Sequence, residues 1–168
     1  MTNAVERAEQ VGRDPRKLVS PDLFNRLVER VRSEYQCVAR FYAKAMVEQM
    51  ICFLATISTY DPSDPPPGVV DEGEFTHLTP SKEIDNALYA FLGMSMEYRE
   101  FSTLLTGDEG FIDHAPVSNS STNSGRSVGI TVRAMRYFGW PVDDRFWETG
   151  TNCYSDICQG RLIDLKDS

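Results

Sequence analysis

The chain has 168 residues, 17 of them Lys or Arg and 25 Asp or Glu, for a net charge of −8. That length suits one domain, and an acidic surface argues against generic binding to a nucleic-acid backbone or to anionic membranes. Hydrophobic residues make up 41% and charged residues 25%, enough for a globular core that needs no disulfide staples.

Residues 1–19 are polar, carry Pro15 and read as a short helix or a loose N-terminal arm. They lack the apolar run of a secretory signal, so a cytoplasmic location is the expectation. Ser20-Pro21-Asp22 is a helix start: a capping hydroxyl, a proline suited to the first turn, and an acid near the positive end of the dipole. Leu23, Phe24, Leu27, Val28, Val31 and Tyr35 then recur at helical spacing. A second helix is expected over 38–58, with Phe41, Tyr42, Ala45, Met46, Met50, Phe53, Leu54 and Ile57 on its apolar face. Its most apolar part, 46–57, is interrupted by Glu48, Gln49 and Thr56 and is too short to span a bilayer.

The sequence DPSDPPPG at 61–68 marks a turn and opens a loop that extends to residue 78, either an exposed crossover or a lid. Thr79-Pro80-Ser81 begins a third helix, with Ile84, Leu88, Phe91 and Leu92 as its face and Gly93 as its stop. A fourth helix, over 95–105, carries Met96, Phe101, Leu104 and Leu105 and ends near Gly107. A loop over 108–123 precedes a fifth helix that starts at Ser124 or Ser127 and ends at Gly139-Trp140-Pro141. Residues 142–147 read as a short helical turn, and Trp140 and Trp147 as packing anchors. No stretch alternates with period two for long enough to build a sheet. The expected fold is therefore all-α: a single-domain bundle of about five helices, with a proline-rich loop at 59–79 and a tail at 150–168.

Two short segments carry a family resemblance. Thr79-Pro80-Ser81-Lys82-Glu83-Ile84-Asp85 resembles the "P-S-x-x-V-D" helix start of the glycine-rich-domain-containing-protein-like family. Gly110-Phe111-Ile112-Asp113-His114-Ala115-Pro116 resembles that family's "G-R-F-I-H-H-x-P". Met96-Glu97-Tyr98-Arg99-Glu100-Phe101 is similar to its "R-E-Y-x-x-F", and the tail with Cys153 and Cys158 looks like that of a bacterial branch. The resemblance implies a helical fold and, in relatives, histidines and cysteines suited to a metal. This chain departs at those positions. Leu88-Tyr89 stands where relatives have Trp-His, and Asp113-His114 where they have His-His. A metal site would have to draw on Asp85, Asp113, His114 and Cys153 or Cys158, a poorer set.

The residues themselves allow acid–base chemistry without a metal or other cofactor. Asp85 and Tyr89 are four residues apart and share a helix face. With His114 they would supply a carboxylate, a phenol and an imidazole to one pocket. His114 would act as base or acid, Asp85 or the adjacent Asp113 would orient it, and Tyr89 would donate to a developing oxyanion. Each has a structural alternative: Asp85 as a stabiliser of its helix start, Tyr89 as a rim residue, His114 as a loop anchor. His77 reads as solvated, Cys37 and Cys52 as buried thiols, and Arg126, Arg133 and Arg136 as salt-bridged surface. Walker, GxGxxG, HExxH and GxSxG patterns are lacking.

The expectation is thus a small helical enzyme that cyclises, isomerises or dehydrates an organic small molecule or modified peptide, in the manner of specialised-metabolite biosynthesis. The alternatives are a non-catalytic binding or scaffold protein and a metalloprotein. The aromatic residues of the fifth helix and tail allow a homodimer without requiring one.

Overall fold

The computed structural model describes residues 6, 9–35, 38–71, 77–107, 112 and 126–147. Among these residues there are five α-helices and no strand: α1 (Pro21–Glu34), α2 (Arg40–Ile57), α3 (Lys82–Leu92), α4 (Ser95–Thr106) and α5 (Arg126–Tyr137). Two 3-10 turns, Pro15–Leu18 and Asp144–Phe146, precede α1 and follow α5. The fold is all-α, as the sequence pattern requires. No helix among the described residues is long and apolar enough to cross a membrane.

The helix starts follow from local chemistry. Ser20 Oγ accepts from the Leu23 amide at 3.1 Å, and Ser81 Oγ from the Ile84 amide at 3.4 Å, each satisfying a first-turn N–H. Helices α2 and α4 begin at Ala39 and Met94 with no side-chain cap, so packing must hold their first turns. Helix α5 ends in a glycine turn. The Gly139 and Trp140 amides donate back to the Arg136 and Met135 carbonyls at 3.0 and 2.9 Å, and Gly139 adopts φ +77°. This geometry favours glycine and satisfies two carbonyls that the helix leaves open.

Helix α2 is the centre of the molecule. It packs against α1, α3, α5 and the first 3-10 turn, and it is buried continuously from Gln49 to Thr56. A helix so apolar on all sides has to be enclosed by its neighbours. The expected face was therefore too narrow: Val47, Ile51, Cys52 and Ala55 are buried as well. In the opposite sense, Phe41 in its first turn is 60% exposed and Met96 at the start of α4 is 75% exposed. Tyr98 fills the place expected of Met96. Its ring meets Phe91 edge-on at 5.1 Å, and its hydroxyl donates to the Ile112 carbonyl at 2.7 Å.

Two polar residues tie distant segments to this core. Gln49, 4% exposed, donates from Nε2 to the Pro141 carbonyl at 3.0 Å. Its Oε1 accepts from the Asp143 amide at 3.1 Å and from the Trp147 indole at 2.7 Å. Phe146 and Trp147 pack beside it on Tyr42 and Phe53. Both tryptophans are buried, as packing anchors should be. Thr131 of α5 takes the other end of the molecule in hand: its Oγ1 accepts from the Thr79 amide at 2.8 Å and lies 2.7 Å from the Thr79 carbonyl. Val69 packs on Ile130 and Ala134, and Arg133 Nε donates to the Val69 carbonyl at 2.7 Å. The described part of the proline-rich loop thus lies against α5 at two points.

The enclosure of α2 has a chemical consequence. Burial pushes the Cys52 thiol far above its ordinary range, so little reactive thiolate exists at neutral pH. In the folded protein Cys52 is expected to escape alkylation by iodoacetamide at pH 8, and to be modified once urea unfolds the chain. Peptide mass mapping checks this, and rapid labelling under native conditions would refute it.

Candidate functional site

Helix α3 carries the two described members of the expected site. Asp85 lies in its first turn and is half-buried. Tyr89, one turn on, is 48% exposed. The opposite side of α3 explains their orientation: Ile84, Ala87, Leu88 and Phe91 are fully buried against the core, which turns Asp85 and Tyr89 towards the rim. Ser81 fixes where the helix begins and hence the register of both residues.

A third polar group stands beside them. Tyr35 caps the C-terminal end of α1, and its hydroxyl donates to the main-chain carbonyl of Asn86 at 3.3 Å. The phenol is pushed above its ordinary value, first by burial, then by the negative charges of Glu34 and Asp85, and at alkaline pH by the Tyr89 phenolate. Asp85, Tyr89 and Tyr35 therefore share one electrostatic environment at the α1–α3 junction. Tyr35 was read from the sequence only as the last residue of an apolar face. The signal for more was its hydroxyl together with its position at a helix end, where a side chain reaches across to the next element.

Asp113 and His114 lie outside the described residues, as do Cys37, Cys153 and Cys158. Ile112, the described residue next to Asp113 in the chain, is buried and bonded through its carbonyl to Tyr98 of α4. His77 is exposed. Among the described residues, no group of three or more His, Cys, Asp or Glu side chains is arranged to hold a metal ion.

The arginines of α5 divide. Arg136 pairs with Asp144 at 2.8 Å on the exposed surface, the ordinary solvated bridge. Arg133 is instead the main-chain tie to Val69. On α1, Arg26 bridges to Glu97 of α4 at 2.6 Å and holds that carboxyl below its ordinary value through the hydrogen bond.

No family model matches this chain, and no curated protein or solved structure does either.

Proposed function

We propose that the protein binds an organic small molecule or modified peptide at the exposed face of α3 and transforms it by metal-independent acid–base chemistry. The reading is supported by one observation above others: Asp85 and Tyr89 share a helix face, and Tyr35 reaches across the α1–α3 junction to bond the Asn86 carbonyl of the same helix. A carboxylate beside two phenols can orient a bound group, accept a proton and donate a hydrogen bond to a developing oxyanion. His114, from the segment that resembles the histidine motif of the glycine-rich-domain-containing-protein-like family, would be the proton-transferring base or acid, with Asp85 or Asp113 orienting it. Membership of that family is part of the same proposal.

A second reading, a binding or scaffold protein without turnover, is favoured by the 48% exposure of Tyr89, because a solvated phenol lacks the dry setting that strengthens catalytic hydrogen bonds. The two readings part in one experiment. Wild type, Tyr89→Phe and His114→Ala are each incubated with a metabolite extract, and mass changes are followed by chromatography and mass spectrometry. Catalysis predicts that a wild-type conversion falls by roughly 10²–10⁴-fold in the variants. Stability should move by less than about 0.5 kcal/mol for Tyr89→Phe, a surface change. Absence of any wild-type conversion, with ligand retention unchanged in both variants, would remove the enzyme reading and leave the binding one.

A further inference from the structure

The only non-glycine residue with positive φ among the described residues is Arg13, at φ +58°, directly after Gly12 at +63°. L side chains rarely adopt this conformation; here a tight turn, closed by the Asp14 amide donating to the Val11 carbonyl at 3.2 Å, holds it and directs the side chain. Its guanidinium donates to the carbonyl of Phe138, at the C-terminal end of α5, where a cation also meets the negative end of the helix dipole. The same side chain lies over Gly139. A Cβ placed on Gly139 would stand 2.8 Å from Arg13 Nε and 2.9 Å from its Cδ, closer than real Cβ atoms approach. Arg13 therefore joins the N-terminal segment to the point where the chain leaves α5.

Both segments so joined are fastened to neighbouring positions of α2. On the N-terminal side, Pro15 and Leu18 are buried, and Arg16 pairs with Glu48. On the other side, Gln49 holds Pro141, Asp143 and Trp147. Adjacent residues of the central helix thus each grip one of two segments that are more than a hundred residues apart, the Arg13–Phe138 contact spanning 125.

We infer that residues 12–19 and 138–147 form a two-part belt over α2, closed by Arg13, and that the two parts open as one unit. The turn aims the guanidinium at the Phe138 carbonyl, so opening of either part breaks a contact that the other shares. This is a conformational device: the Arg13 contact couples the two parts, so that the aromatic surface of α2 around Tyr42 and Phe53 is covered or uncovered by both together.

The two tryptophans of the chain, Trp140 and Trp147, both lie in the second part and are buried, so indole fluorescence reads that part alone. Arg13→Gly tests the link, because glycine accepts the backbone conformation while the guanidinium is lost. With helical circular dichroism retained, the variant should show several-fold stronger quenching of tryptophan by acrylamide. Unchanged quenching would overturn the belt. Hydrogen exchange of the wild-type full chain at low urea keeps the test open should the variant not fold. The Lys17 amide, bonded to the Asp14 carbonyl, and the Asp143 amide, bonded to Gln49, should open with one equilibrium constant and one urea dependence, within about twofold, as a single cooperative unit requires. Two distinct isotherms would overturn the proposal.

Discussion

Replacement of Gln49 by leucine is expected to lower the unfolding free energy by about 3–5 kcal/mol, although the new side chain is apolar and of similar length. The reason lies in what is left behind. The Pro141 carbonyl, the Asp143 amide and the Trp147 indole all point at the Gln49 amide, which is 4% exposed, and the Trp147 indole is buried with it. An orphaned buried group such as the Trp147 indole costs on the order of 1–3 kcal/mol, the two part-buried main-chain groups add to it, and the better transfer energy of leucine offsets only part of the sum. Urea denaturation followed by circular dichroism and tryptophan emission measures the loss. A change below about 1 kcal/mol would mean that residues 141–147 carry no cooperative weight.

Phe91→Ala should be as damaging, at about 3–5 kcal/mol, by a different route. Phe91 is fully buried on α3, with Tyr98 edge-on at 5.1 Å and Phe101 at 5.5 Å. Truncation opens a cavity between α3 and α4 and loosens Tyr98, whose hydroxyl anchors Ile112. The contrast with Tyr89 is the useful part of this prediction. Two residues apart on one helix, Phe91 carries stability and Tyr89 carries the proposed chemistry, so their alanine and phenylalanine substitutions should separate the two properties. Thermal unfolding of both variants gives the answer. Equal melting temperatures would show that α3 is not held by its aromatic face.

Much of this architecture was legible because its causes are local. Ser20-Pro21 and Ser81 start helices by bonding amides three residues on, and Gly139 ends one by its backbone freedom. Those effects act within a few residues and leave a direct mark on the pattern. Periodicity also gave the buried face of α1, which packs on one side only. It failed for α2 because enclosure on every side is a property of the neighbours, not of the helix, and Gln49 looked like an interruption of an apolar run when it is the run's chief polar anchor. Phe41 and Met96 are exposed although apolar, and both stand in the first turn of their helix. For the site, a four-residue spacing was enough to put Asp85 and Tyr89 on one face. Tyr35 was missed because its part depends on how α1 crosses α3, which no local pattern records. Asp113 and His114 lie outside the described residues.

The position of α2 also bears on how the chain is made. Gln49 precedes Trp147 by 98 residues, and its other two partners lie nearly as far downstream. At about 5–20 residues per second, a ribosome needs on the order of 5–20 s to deliver residue 147 after residue 49. For that interval the nascent chain carries a strongly apolar helix that α1, and later α3, can cover, but that still lacks residues 138–147. The central placement that makes the finished protein coherent thus makes its unfinished form a client for chaperones, and slow translation of the second half would lengthen the exposure.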